Sequence, residues 1–248
     1  MKSEPESVVF GVHAVGRLID AEPRRLKSLY LQLGREDATI ARLRDAAAAS
    51  GVPVEQVSRE RLMQITGSGN HQGIAALVVA LPLLDERALA DLLDGIDNAL
   101  LLVLDCVQDP HNLGACLRSA EAAGADAVII PRNRAVGVTG AVRKVASGAA
   151  DSVPVAQVTN LARSLRMIAD KNIWRFGAVA GEGRDLYDMD LRGPLCLVFG
   201  GEARGLRRLT RQHCDEVFKI PMSGKVESLN VSVAAGISLF EAVRQRRT

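Results

Sequence analysis

The chain has 248 residues, of which 48% are hydrophobic, 24% charged and 3% aromatic, and its net charge is +2. That supplies one large domain or two smaller ones, with cores built mainly of Ala, Val, Leu and Ile. No apolar run approaches the ~20 residues that span a bilayer. The polar start "MKSEPESVVFGV" is no secretory signal, so a cytoplasmic protein with no membrane role is expected.

In chain order, "VVFGVHAVGRLID" predicts a strand running into a helix, and "LKSLYLQL" alternates as a strand does. "DATIARLRDAAAASG" reads as a helix opened by Asp37 and closed by Gly51. "VPVEQVS" is a strand, "RERLMQITG" a short helix ended by Gly67, and "GIAALVVA" another strand. Residues 1–78 thus form a small α/β domain. The acidic stretch at 79–98 reads as a linker with one helical piece. From Ala99 the pattern becomes clear strand–helix alternation: "LLLVLD", "AVII", "VPVAQV", "IWRFGAVA", "LCLVFG" and "VFKIP" are separated by helical segments. Continuous apolar strands of this kind belong to a parallel sheet covered by helices, which binds ligands beyond the carboxyl ends of its strands.

The cysteines form no CxxC pair, and Cys106, Cys116 and Cys196 read as buried free thiols. The four histidines are dispersed, so no metal site is expected. Residues 100–248 hold 20 Lys and Arg against 15 Asp and Glu. The excess clusters at Arg132/Arg134, Arg143/Lys144, Arg204/Arg207/Arg208/Arg211 and Arg244/Arg246/Arg247. Solvated helix faces explain each cluster, and together they permit contact with a polyanion.

Three strand ends carry unusual chemistry. In "LDCVQDPHNLGACLRSAEAAGA" a buried strand stops at Asp105, and a helix from about Leu113 to Ala123 follows, with Asn112 as a good N-cap. Arg118 either pairs with Glu121 on the surface or aims at a phosphate or reacting oxygen. In "LCLVFGGEARGL" the strand ends in Gly200-Gly201 and Glu202; the glycines make a plain turn or let a ligand approach the backbone. Neither GxGxxG nor a Walker A loop matches. In "VFKIPMSGKVESLNVSVAAGISLFEAVRQRR" Ser228 can cap the last helix, which leaves Asn230 and Ser232 unexplained, and the apolar face reads as Leu229, Val233, Ile237, Phe240 and Val243.

"NLGACLRSAEAAG", "FGGEARGL" and "IPMSGKVESLNVSVAAGISLFEAVR", in this order, resemble the three motifs of the SpoU/TrmH branch of the SPOUT RNA methyltransferases, over residues ~99–245. Residues 1–78, with "FGVHAV" and "HQGIAA", are similar to the L30e-like RNA-binding domain that precedes them in the family. The resemblance implies an α/β methyltransferase domain over 99–248 with a C-terminal trefoil knot, a homodimer, and S-adenosyl-L-methionine as cofactor. Backbone groups at Gly200, Ile220 and Leu229 would hold the adenosine, with Met222 close by. Arg118 would be the catalytic arginine, stabilising a developing alkoxide or gripping the adjacent phosphate. Asn112 would orient Arg118 or the ribose, Glu202 would fix Arg118 or a nearby loop, and Ser228 and Asn230 would position nucleotide and cofactor. The implied reaction is 2′-O-methylation of a guanosine ribose in the peptidyl-transferase loop of 23S rRNA, free or in a ribosomal precursor particle. A tRNA ribose methyltransferase of the same branch, a non-catalytic RNA-binding or ribosome-assembly protein and a nucleotide-dependent oxidoreductase are the competing readings.

Overall fold

The computed structural model describes residues 6–35, 37–202 and 205–247. The chain divides into two compact units. One runs through Leu81 and includes Ser147–Asp151; the other holds Pro82–Ala146 and the residues from Ser152 on.

The first unit contains β1 (Glu6–Phe10), α1 (Val12–Ala21), β2 (Leu26–Gln32), α2 (Ala38–Ala49), β3 (Val54–Val57), α3 (Arg59–Thr66) and β4 (Ile74–Val79). Asp37 opens α2 by accepting from the Ile40 N–H at 2.9 Å, and Gly67 ends α3 in the left-handed conformation. Among the described residues the sheet has the order β1-β4-β2-β3, with β4 antiparallel to both neighbours and β2 parallel to β3. The period of two sorts the side chains. Val9, Leu29, Ile74 and Ala76 pack under α1 and α2 with Val15, Leu18 and Leu43. Phe10, Val57 and Ala75 pack with Leu62 of α3.

The second unit contains α4 (Glu86–Leu93), β5 (Leu100–Asp105), α5 (Pro110–Ala122), β6 (Ala127–Pro131), α6 (Gly140–Ala146), β7 (Val155–Val158), α7 (Leu161–Asp170), β8 (Trp174–Ala178), β9 (Arg184–Asp185), β10 (Leu195–Gly200), α8 (Arg208–Gln212), β11 (Glu216–Lys219) and α9 (Val231–Arg246). Among the described residues its sheet has the order β7-β6-β5-β10-β8-β11-β9, and every pairing is parallel. On one face, sheet residues such as Leu101, Val103, Ile129 and Val198 pack with Leu161, Leu165 and Ile168 of α7. The acidic stretch read as a linker carries α4, whose Leu89 and Leu93 are buried in this same core. On α5, Leu113, Cys116, Leu117 and Ala120 are buried. This helix packs against both α6 and α9. No helix among the described residues is long and apolar enough to cross a membrane.

Three local expectations need correction. Helix α5 begins at Pro110, not Leu113. Asp109 caps it by accepting from the His111 N–H at 2.9 Å, and Asn112 sits in the first turn. Proline at the first helical position loses no bond, because that N–H has no partner within the helix. Helix α9 begins at Val231, and its cap is Asn230 rather than Ser228. The Asn230 Oδ1 accepts from the Ser232 N–H at 2.9 Å and from the Ser232 hydroxyl at 2.6 Å. The apolar stripe read on α9 is not the buried face: Val233 and Phe240 are 49% and 50% exposed and Leu229, Ile237 and Val243 half-buried, while Val231, Ala235, Ser238, Leu239 and Ala242 are buried. This face packs on α5, where a Cβ on Gly236 would make ordinary contact at 3.5 Å with the Ser119 hydroxyl.

Candidate active site

A cleft of about 690 Å³ opens at the carboxyl ends of β8, β10 and β11 and at the start of α9. Phe199 and Phe218, nearly and fully buried and packed edge to face, form its floor. Gly200, Ile220, Met222 and Leu229, the four residues assigned to the cofactor from sequence, all line it, as do Glu202, Ser228 and Asn230. Sequence reading missed the Ala178–Gly181 wall at the end of β8, although its glycine after a strand was a usable signal.

Gly200 and Gly201 serve the chain's own backbone as well as the cleft. A Cβ on Gly200 would fall 1.9 Å from the Gly205 carbonyl carbon and 2.2 Å from the Leu206 nitrogen, and one on Gly201 would fall 2.5 Å from the Cys106 carbonyl oxygen. The turn is closed by the Gly205 N–H donating to the Gly201 carbonyl at 2.9 Å. Only glycine permits this fold-back at the rim of the cleft.

Three predicted residues meet at that rim. Asn112 Nδ2 donates to Glu202 Oε1 at 2.5 Å, and Asn230 Nδ2 donates to Asn112 Oδ1 at 2.9 Å. The first turn of α5, the segment after β10 and the cap of α9 are thereby joined by side chains from three separate parts of the chain. Ser228, not needed as a cap, is exposed on the cleft wall. Arg118 does not join this group. It is exposed and makes no hydrogen bond or ion pair among the described residues. Six residues of α-helix place it about 9 Å along α5 from Asn112 and about 120° around the axis.

The basic clusters are partly consumed by the fold. Arg207 pairs with the buried Asp105 at 2.6 Å, Arg211 with Glu182 at 2.7 Å and Arg244 with Glu241 at 2.8 Å. Arg246 donates to the carbonyls of Asn98, Ala99 and Gly193. Arg204 lies outside the described residues. Arg132, Arg134, Lys144, Arg208 and Arg247 are exposed. No thiol at the site is poised to react: burial, with the Glu202 carboxylate adding, pushes Cys116 up to about 12. Cys106, read as buried, is half-buried.

An all-parallel sheet with a cleft beyond its carboxyl ends, walled by glycine turns and rimmed by amides and a carboxylate, has the ligand-site architecture of the α/β class. The chain belongs to the SpoU rRNA methylase family, whose model matches residues 99–240, while residues 8–84 match the RNA 2′-O ribose methyltransferase substrate-binding family. It is therefore an S-adenosylmethionine-dependent RNA ribose methyltransferase. A Shewanella oneidensis protein named 23S rRNA (guanosine-2′-O-)-methyltransferase RlmB is 49% identical over 98% of this chain and 99% of its own length. The crystal structure of the SpoU methyltransferase AviRb from Streptomyces viridochromogenes, in complex with the cofactor AdoMet, superposes with a TM-score of 0.72 at 26% identity, covering 98% of this chain and 91% of that one. A structure described by 2-OH methylation of C/U34 on tRNA matches 60% of this chain and 96% of its own, with a TM-score of 0.55 at 29% identity.

Proposed function

We propose that the chain methylates the 2′-hydroxyl of a guanosine ribose in 23S rRNA, with the peptidyl-transferase loop as the region the motifs imply. The single observation that carries the reading is the convergence of Asn112, Glu202 and Asn230 on the rim of a cleft that the four expected cofactor residues line. Relatives named for 23S rRNA match nearly the whole chain, whereas the tRNA-directed structure covers 60% of it. That difference favours rRNA over tRNA.

The cleft fits S-adenosylmethionine. Its volume is in the range of small-molecule sites. Its floor is apolar, backbone groups at Gly200, Ile220 and Leu229 edge it, and the carboxylates of Glu202 and Glu227 suit a cationic sulfonium. When bound, the cofactor supplies an electrophilic methyl carbon. The chain's residues supply alignment and charge. Asn112 and Asn230 hold the rim, and Glu202 is fixed by Asn112 rather than by Arg118. The Arg118 guanidinium stabilises the negative charge that develops on the ribose oxygen, whose proton passes to water, or grips the neighbouring phosphate.

The reading includes a homodimer in which Arg118 serves the cleft of a second copy. Supporting it are the exposure of Arg118 and the outward apolar residues Val233 and Phe240 of the neighbouring helix α9. The knotted threading of the C-terminal segment, a cytoplasmic location and RNA binding by residues 1–78 belong to the same proposal. Mapping ribose methylation in total RNA from cells with and without the gene tests it. One guanosine of 23S rRNA should lose its 2′-O-methyl group; loss at a tRNA position, or nowhere, overturns the assignment.

A further inference from the structure

Strand β5 is buried along its whole length and ends in a carboxylate, Asp105, with 0% exposure. A carboxylate taken fully out of water is tolerated only when paired and hydrogen-bonded; the neighbouring Cys106 thiol donates to Oδ1 at 3.4 Å, and the shorter contacts come from one later segment. Arg207 donates to Asp105 Oδ1 from Nε at 2.7 Å and from Nη2 at 2.6 Å. The Arg207 backbone N–H and the Thr210 hydroxyl reach Oδ2 at 3.3 and 2.6 Å. The Arg207 and Thr210 donors belong to the chain just beyond Gly205 and Leu206. On the other side, Asp105 is the register partner of Gly200, and the carbonyl of Cys106, a residue with φ of +65°, faces Gly201.

The clamp therefore closes both ends of the fold-back that follows β10. Gly200, Gly201, Gly205 and Leu206 line the donor cleft, and Glu202 reaches Asn112 from the same turn. We propose that Asp105, acting through Arg207 and Thr210, is a positioning residue for methyl transfer: it fixes the cleft wall at Gly200–Gly201 and sets the reach of Glu202 to Asn112. Arg207, one of the clustered arginines, is thus committed to Asp105 although its side chain is 38% exposed. This inference rests on the methyltransferase reading of the cleft.

The test compares full-length wild type with Arg207→Lys, which keeps the charge but loses the two-pronged contact, and with Thr210→Val, a milder change that removes one bond. Arg175→Lys is the control. It weakens an equally well-made ion pair, Arg175 Nε to Asp215 Oδ2 at 2.8 Å, near the amino end of β8 and away from the cleft. Donor affinity by calorimetry and single-turnover methyl transfer at saturating donor are measured well below the melting temperature. Arg207→Lys should weaken donor binding about tenfold and slow transfer at least tenfold. Thr210→Val should shift both in the same direction by a few fold, and Arg175→Lys should leave both near wild type. Glu202→Gln should cost much less in the Arg207→Lys background than alone, because Glu202 is already misplaced there. Wild-type affinity and rate in folded Arg207→Lys and Thr210→Val, or Glu202→Gln effects that multiply independently, would overturn the inference. A wild-type chain that itself bound no donor would instead defeat the methyltransferase reading.

Discussion

Asn112 and Glu202, 90 residues apart, share a 2.5 Å hydrogen bond that joins the first turn of α5 to the turn after β10. Because Asn112 also accepts from Asn230, one amide bridges both partners and leaves neither free to drift. Replacing Asn112 with alanine removes both bonds at once. Misplacing a reacting group by about 1 Å costs on the order of 10²-fold. Single-turnover transfer by Asn112→Ala should fall by about that factor, with donor affinity changing less than tenfold. An unchanged rate would remove the bridge from the mechanism.

Arg118 stands apart from this bridge within one chain, which leads to a complementation experiment. Arg118→Ala should bind donor like wild type and lose about 10²- to 10³-fold in transfer, the magnitude of one lost electrostatic stabiliser. Mixed and re-equilibrated with a chain unable to bind donor, it should regain activity, because one mixed dimer then combines an intact cleft with an intact Arg118. Activity that stays absent on mixing would place Arg118 in the cleft of its own chain.

Gly200→Ala tests the fold-back. Its Cβ would meet backbone atoms at 1.9 and 2.2 Å, which no rotamer change can relieve. The variant should be destabilised by about 3 kcal/mol or more, beyond ordinary overpacking, and should lose donor binding. A melting temperature within a degree of wild type would contradict the close approach.

Acid sensitivity has an identifiable contributor in Glu86. The Thr159 hydroxyl, at 2.5 Å, is the main cause holding its carboxyl at about 2, below the ordinary 4.5, with the Thr159 N–H adding. Arg163 Nη2 lies 3.5 Å away. A lowered folded-state value means stability present above pH 4.5 and lost as the pH falls from there toward 2. Thr159→Val should cost about 1 kcal/mol at neutral pH, and its deficit should shrink through that window. Denaturant melts at pH 7 and 3 check this; a deficit that grows on acidification would reverse the sign.

The strands of the second unit were legible because runs such as "LLLVLD" and "LCLVFG" have no amphipathic alternative. Strand β9 was not, since two residues carry no period. The caps failed for a different reason: Asp109 competes with Asn112 at one boundary and Ser228 with Asn230 at the other, and local pattern does not rank them. On α9 the larger apolar residues were taken for the buried face, but the helix packs on α5 through Val231, Ala235, Ser238, Leu239 and Ala242. Gly200, Glu202, Ser228 and Asn230 stood out because glycine and polar residues at strand and helix ends are anomalous, whereas Ile220, Met222 and Leu229 came only from the family resemblance. The Asp105 clamp was not found, because its partners lie 102 and 105 residues away.

The most direct test gives the purified chain methyl-labelled S-adenosylmethionine and 23S rRNA lacking its own modification, then digests the RNA to nucleosides. Label should be recovered as 2′-O-methylguanosine from a single position, and Arg118→Ala should slow its incorporation about 10²- to 10³-fold while still binding donor. Label on a base, or none from a protein that fails to bind the donor, would contradict the account.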